Sequence, residues 1–294
     1  MVVSVDVINR IDKLFSTYKK LEKNNKKALY ELSISEVPEM VYNSNAIENS
    51  TLTLEETEDI IFFDKIKKDH SIREIYEAKN LVKVIEMLQN KKNIKFSVEL
   101  ILKLHKILLN WINDHFAWRF RFWDEWVRVG SHIGANPDFV NWLVYDLVKK
   151  YNFDKKSYFL DKIAYFHAEF ETIHPFWDWN WRIWRVLINK QLMDLGYPPI
   201  IIPNKNKDKD YYPLFENFLV KNDYHWFAQF FALLLMESLN KRIQTLTAKR
   251  IITLSDWAKK NKKDVKSYLN KAKRQTIPSF RRWWKWMISE EFEW

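Results

Sequence analysis

The stretch HPFWDWNWRIWR, His174 to Arg185, decides how the rest of the chain is read. Ahead of it, Ile163, Phe166, His167, Phe170, Ile173 and His174 share one face at helical spacing. Behind it, RIWRVLINKQLMDLG resumes that spacing and stops at Gly196. Pro175 disfavours helical geometry at the residue before it, so a loop begins at His174. The loop Pro175–Trp181 is thus pinned between two helices, with the N-terminus of the second aimed at it. Such an arrangement suits an anion before any side chain is counted.

The side chains point the same way. His174 stands four residues before Asp178, six before Asn180 and eight before Arg182. A neutral imidazole can accept a proton from an incoming hydroxyl. A carboxylate can hold the Mg²⁺ that nucleotide phosphates bring. An asparagine amide and two guanidiniums can pair with phosphate oxygens, and Arg182 and Arg185 lie one turn apart. Each alone has a plainer role, the histidine as a helix cap and the arginines as a solvated face. Together in one loop they read as a nucleotide-transfer site.

Composition bounds the alternatives. The 294 residues exceed a typical single domain, so one large core with a small appended domain is expected. A hydrophobic fraction of 47% supplies that core. No cysteine is present, which removes disulfides, thiolate metal sites and cysteine nucleophiles and fits a cytoplasmic location. The N-terminus shows no secretory pattern, and the greasiest stretch, Phe227–Met236, is too short to span a bilayer, so no membrane association is expected. The scattered His70, His105, His115, His132 and His225 have no zinc spacing, and His167 shares an apolar face as a core histidine does. From Lys241 to Trp294 there are 15 Lys/Arg against 5 Asp/Glu, leaving 33 against 33 in the first 240 residues. The whole basic excess sits in the tail, as in a module that faces nucleic acid.

Helical periodicity dominates the chain. Ile8, Ile11, Leu14, Phe15, Tyr18 and Leu21 form the stripe of an opening helix, and Thr53-Leu-Glu-Glu56 reads as a capping box. Ser44–Asn49 then belongs to a short preceding helix or turn. Between Phe116 and Pro137 the pattern alternates and ends in Gly, Asn and Pro, which predicts a short hairpin.

The motif resembles the signature of the Fic family, H-P-F-x-[D/E]-G-N-[G/K]-R-x-x-R, at His174, Pro175, Phe176, Asp178, Asn180, Arg182 and Arg185. LHKILL (Leu104–Leu109), WRFR (Trp118–Arg121), FHAEFETIHPF (Phe166–Phe176) and MDLGYPP agree with it, and the resemblance runs from about Ser97 to Asn240. It implies a mainly α fold: a Fic-type helical bundle with a short β-hairpin flap, plus a small C-terminal winged helix-turn-helix. Three regions are expected: an N-terminal helical region over 1–95, a Fic core over 96–244 and a basic winged-helix-like domain over 245–294. Fic proteins mostly transfer AMP from ATP to a hydroxyl side chain of a target protein or of themselves. By that resemblance His174 is the general base, Asp178 the Mg²⁺ ligand, Asn180 and Arg182 phosphate ligands, and Arg185 the grip on the γ-phosphate. Trp179 and Trp181 share the nucleotide loop, and Tyr211 and Tyr212 match the tyrosines at the adenine end. The flap Arg128, Val129, Gly130, Ser131, His132, Ile133 and Gly134 would dock a Ser, Thr or Tyr segment of the target by strand addition.

Upstream, Ser44-Asn-Ala-Ile-Glu48-Asn49 fits the family's inhibitory [S/T]-x-x-x-E-[G/N]. In such proteins the glutamate pairs with the second arginine, here Arg185, and keeps the γ-phosphate from its catalytic pose. The tail resembles an excisionase-type winged helix, with Ile277, Pro278, Arg281 and Trp286 in frame. Lys262, Lys263 and Lys266 would belong to its recognition helix, and Arg281, Arg282 and Lys285 to its wing. Such tails bind DNA, or serve instead as target-docking or homodimer modules. Two other readings stay open: a catalytically silent Fic scaffold that regulates through DNA, and a Fic enzyme moving UMP, phosphocholine or another phosphate-linked group.

Glycine is the anomaly. Average usage near ~7% predicts roughly 20 in this length, whereas there are 3 glycines and 15 tryptophans. Tryptophan stands at the family's glycine positions: Trp179 and Trp181 in the loop, Trp118 before the arginine, and Trp283–Trp284 in the wing, with Trp184 where a small residue is usual. This selectivity implies a Gly→Trp rewriting of an ordinary Fic chain and weak ATP binding by the chain as written.

Overall fold

The computed structural model describes residues 2–66, 69–90, 94–129, 132–205 and 207–293. In chain order these form α1 (Val5–Glu22), α2 (Lys26–Ser35), α3 (Val37–Ile47), α4 (Leu54–Phe63), α5 (Ile72–Asn90) and α6 (Val98–Leu109). The hairpin β1 (Arg128–Val129) and β2 (His132–Ile133) follows, then α7 (Pro137–Phe153), α8 (Phe159–Ile173), α9 (Asn180–Asp194), α10 (Lys207–Asp210), α11 (Tyr212–Lys221) and α12 (His225–Thr247). The chain ends with β3 (Ile251–Thr253), α13 (Leu254–Lys260), α14 (Val265–Lys273), β4 (Phe280–Arg282) and β5 (Lys285–Ser289). The protein is mainly α, as expected. None of its described helices is long and apolar enough to cross a membrane.

Two compact units divide the chain. One comprises Met1–Val2, Val37–Gly196 and Ile202–Ala228; the other comprises Val3–Glu36, Tyr197–Ile201 and Gln229–Trp294. In the first, α8 and α9 lie at the centre. Ile163, Ala164, Phe166 and Phe170 of α8 and Ile183, Leu187 and Ile188 of α9 are buried, with Leu104 and Leu108 of α6 and Val144 of α7. These are the apolar stripes seen in the sequence, and burying them is what draws the helices together. In the second unit the three strands form an antiparallel sheet in the order β3-β5-β4. Trp257, Tyr268, Ile277 and Ile288 make a separate small core there. Glu36 is buried in this unit between Lys241 Nζ at 2.9 Å and Arg242 Nη2 at 2.6 Å. Burial alone would raise its pKa, but the two cations hold the carboxyl below its usual range.

The segment Ser44–Asn49 spans the end of α3 and the turn that leads to α4. Asn49 takes the left-handed conformation, φ 64°, which asparagine adopts more readily than most residues. Thr53 Oγ1 accepts from Glu56 N–H at 3.2 Å, and Glu56 Oε2 accepts from Thr53 N–H at 2.9 Å, the reciprocal capping box expected from the sequence. Removing the cap by Thr53→Ala should cost about 1 kcal/mol, read as a lower midpoint in chemical denaturation.

Candidate functional site

His174 is the residue after α8, held at φ 50°, ψ 64° with its N–H on Phe170 O at 2.9 Å. A non-glycine residue stays in that region only when its surroundings impose it. Arg121 imposes it. Its guanidinium is fully buried and donates to His174 O at 2.7 Å, Ile173 O at 2.8 Å and Ala135 O at 2.6 Å, while its backbone N–H reaches Pro175 O at 3.0 Å. Burial pushes its pKa down to about 10, so it still carries its charge at neutral pH.

The hairpin is anchored to the same place. His132 Nε2 donates to Thr172 O at 2.9 Å, and Gly134 N–H to Val127 O at 3.1 Å. The pairing register is Arg128↔Ile133 and Val129↔His132. Gly130 and Ser131 lie outside the described residues. A Cβ at Gly134 would stand 2.8 Å from Arg121 Nη2, 3.0 Å from Val127 Cγ2 and 3.2 Å from His174 Cβ.

The loop itself is tied by its own polar groups. Asn180 is buried and clamps Phe176, accepting its N–H and donating to its carbonyl, both at 2.8 Å. That engagement turns the amide toward the loop backbone. Asp178 Oδ1 accepts the Trp179 N–H at 2.7 Å. His105, buried on α6, stacks on Phe176 with ring centroids 3.7 Å apart and donates through Nε2 to Asp178 O at 3.3 Å.

Both arginines of α9 are buried and both are engaged from the N-terminal helices. Arg185 donates through Nε to Ser44 Oγ at 3.0 Å and through Nη2 to Ser44 O at 2.8 Å and Glu48 Oε1 at 2.9 Å. Arg182 donates to Asn45 Oδ1 at 3.2 Å and to Glu77 Oε2 on α5 at 2.9 Å. Burial lowers the pKa of Arg182, and the carboxylates of Glu77 and Glu48 oppose that. Arg73, one turn before Glu77, bonds Glu77 Oε1 at 2.9 Å and Asp178 Oδ2 at 2.8 Å. Carboxylates therefore occupy both guanidiniums, and a guanidinium occupies the carboxylate. Asn49 Oδ1 accepts from Lys207 Nζ at 2.8 Å.

The indoles crowd this arrangement. Trp179 starts α9 at φ 75° without a capping bond, and its ring lies 4.3 Å from the Arg182 guanidinium carbon. The Nε1 atoms of Trp179 and Trp184 are buried with no hydrogen-bond partner among the described residues. Trp184 meets His167 with ring centroids 3.6 Å apart. Trp181 packs edge-on against Tyr211, Tyr212 and Phe215 at 6.0, 5.6 and 4.6 Å. Tyr212 donates its hydroxyl to Ile47 O at 3.0 Å.

His174, Asp178, Asn180, Arg182, Arg185, Ser44, Glu48, Tyr211 and Tyr212 thus lie in one unit around one loop. In the other unit, Lys262, Lys263, Lys266, Arg282 and Lys285 are exposed. Arg281 differs: its N–H and guanidinium grip Glu237 at 2.6–3.1 Å. Sequence reasoning gave no site role to Arg73, Glu77, Asn45, His105 or Glu171, although Asn45 lies inside the Ser44–Asn49 motif. Arg73 and Glu77 read as an ordinary i,i+4 surface pair, and only the folded chain brings them to the loop. Gly134→Ala should destabilise the protein by roughly 1–3 kcal/mol, because the guanidinium its Cβ meets is held by four carbonyls. Urea denaturation of the two forms checks this.

Residues 95–192 match the model of the Fic/DOC family. Protein adenylyltransferase Fic of Drosophila persimilis is 30% identical over 176 residues, which is 58% of this chain and 34% of the relative. Protein adenylyltransferase fic-1 of Caenorhabditis elegans is 30% identical over 178 residues, again 58% and 34%. The chain therefore spans about a third of the length of these curated relatives. Among solved structures, a Fic domain containing signaling protein from Bacteroides thetaiotaomicron aligns with a TM-score of 0.74 at 24% identity, covering 81% of this chain and 96% of that one. A Fic family protein from Desulfovibrio desulfuricans aligns with a TM-score of 0.70 at 26% identity, covering 82% and 74%. Residues 95–192 thus match the Fic/DOC family model, the fold is of the Fic type, and the named relatives that the chain resembles are protein adenylyltransferases.

Proposed function

We propose that this chain is a protein adenylyltransferase that moves AMP from ATP to a serine, threonine or tyrosine hydroxyl of a target protein or of itself, and that Glu48 holds it off. One observation carries the reading: two buried guanidiniums, one turn apart beside His174, are both answered by carboxylates. A buried arginine wants an anion, and phosphate offers it the same bidentate geometry as a carboxylate.

In this reading the triphosphate oxygens displace Glu48 from Arg185 and Glu77 from Arg182. The target hydroxyl oxygen attacks the α-phosphorus and its proton passes to Nε2 of His174. The bond from that phosphorus to the bridging oxygen breaks, and pyrophosphate leaves against the arginines. Asp178 is a single carboxylate whose Oδ2 already attracts the Arg73 cation, which fits a Mg²⁺ shared with substrate phosphates rather than an all-protein cage. Bound there, Mg²⁺ would neutralise charge on the phosphates. The flap would add the target segment as a strand, leaving the hydroxyl near His174.

Trp179 and Trp181 work against this. An indole at 179 sits on Arg182, and the indole at 181 fills the space beside Tyr211 and Tyr212 assigned to the base. A second reading rests on the tail, where α14, the turn between α13 and α14, and the β4–β5 hairpin carry five exposed cations. This part would bind DNA phosphates or dock a partner.

Labelled ATP separates the readings. Trp179→Gly with Trp181→Gly should bind ATP at least tenfold more tightly than the chain as written. Adding Glu48→Gly should give label on protein, and His174→Ala should then reduce transfer by about 10²–10⁴-fold. Unchanged ATP affinity would refute the steric argument. Absence of label together with salt-sensitive DNA retention would favour the regulator.

A further inference from the structure

Glu171 lies one turn before His174 on α8 and is buried. Its Oε2 stands 3.4 Å from His174 Nδ1. Neither carboxyl oxygen, nor that Nδ1, has a hydrogen-bond partner among the described residues. The neighbouring acids are all taken up, Glu77 by two arginines and Glu48 by one. A buried carboxyl that approaches a histidine nitrogen without a fully formed hydrogen bond is rare enough to require a reason.

We propose that Glu171 is a positioning residue for His174: it accepts the Nδ1–H, fixes the tautomer with a bare Nε2 turned to the attacking hydroxyl, and steadies the imidazolium formed once the proton arrives. The chemistry follows from the two inequivalent ring nitrogens, since whatever bonds one decides what the other can do. A gap of 3.4 Å is the loose geometry common in such pairs before substrate tightens them. The reaction part rests on the AMP-transfer reading; the tautomer part does not.

The groups facing Glu171 set its pH behaviour. Burial is the largest influence and raises its pKa; His174 and Arg185 oppose this, while Glu48 reinforces it, and Tyr211 also faces it. A protonated Glu171 would donate to Nδ1 and put the histidine's own proton on Nε2, the wrong tautomer for a base. Transfer should therefore fall with decreasing pH on a limb lying above the ordinary carboxylate range, and recover as pH rises through it.

Nitrogen-15 NMR of the full chain without ATP, with the His174 signal assigned by its loss in His174→Ala, tests the placement. The expected result is an Nδ1–H imidazole at neutral pH that persists in Glu171→Gln, whose amide oxygen still accepts, and is lost in Glu171→Leu. An Nε2–H imidazole in the parent, or an unchanged tautomer in Glu171→Leu, would overturn the proposal. In the active background, Glu171→Leu should lower kcat at least tenfold at unchanged KM for ATP, and Glu171→Gln should restore part of it. A fall in ATP affinity equal to that in kcat would instead mark a merely structural residue. If the tautomers behave as expected and no background transfers label, it is the AMP-transfer reading that fails.

A different observation carries a second inference. Trp111, Trp118, Trp123, Trp179 and Trp283 hold positive φ of 63°, 68°, 58°, 75° and 58°. Four of these indoles are exposed, and that of Trp179 is buried with its N–H unmet. Trp257 contrasts with them, helical and buried, with Nε1 donating to Phe292 O at 3.2 Å. The left-handed conformation is open to glycine and strained for tryptophan. We infer that the backbone is built for glycine at 111, 118, 123, 179 and 283, and that the polypeptide made in its own cells carries glycine there. A codon read as tryptophan by one decoding rule and as glycine by another accounts for all five at once.

Trp118→Gly, Trp123→Gly and Trp283→Gly should each raise Tm by about 2–4 °C and exceed the matching alanine variant. At Trp142, exposed on helix α7, alanine should instead exceed glycine. Alanine matching glycine at the first three positions would overturn the inference. So would peptide masses from the natively made protein that retain the indole at 118 and 179 as well as at 257.

Discussion

Two guanidiniums buried side by side cannot be left unanswered, and that requirement organises the first unit. Arg182 and Arg185 project from adjacent turns of α9 into a space that burial has stripped of water. An uncompensated charge there would cost several kcal/mol. The fold answers with Glu77 from α5 and with Ser44 and Glu48 from α3 and the turn after it. Phosphate offers a guanidinium the same bidentate geometry, so the demand that carboxylates meet here is one that phosphate can also meet.

The histidine beside them depends on a third buried arginine used differently. Among the described residues the hydrogen-bond partners of the Arg121 guanidinium are backbone carbonyls, those of Ile173, His174, Ala135 and Glu125, rather than a carboxylate. By gathering those carbonyls it satisfies the end of α8, holds His174 in the left-handed region and brings the hairpin's return strand to the same point. Asn180 does the corresponding work at the start of α9 by closing a ring with Phe176. The loop is thus shaped by backbone hydrogen bonds, which leaves the charged side chains available to face one another.

Against that skeleton the tryptophans are foreign. Those at 179 and 184 are buried yet leave their own N–H groups unmet among the described residues, and five tryptophans hold strained, positive-φ backbone. Trp257 shows what a tryptophan suited to its place looks like in the same chain: helical backbone, full burial and a bonded indole. The contrast is conformational, since what distinguishes the two kinds of site is the dihedral angle demanded of the residue.

Periodicity and caps were legible without coordinates. The stripe of α8, the capping box at Thr53, the break at Pro175 and the hairpin before Pro137 all follow from local rules, because hydrogen bonds within a few residues decide them. The charged and polar residues of the loop could likewise be named, since they lie within twelve consecutive positions. What local rules could not supply was partnership across the chain. Arg73, Glu77 and Asn45 engage Asp178 and Arg182 over 105 to 137 residues, and nothing in the neighbourhoods of Arg73 and Glu77 distinguishes them from surface polar groups. Only tertiary packing, by burying Arg182 and Arg185 and excluding water from them, decided which distant acids must come to meet them.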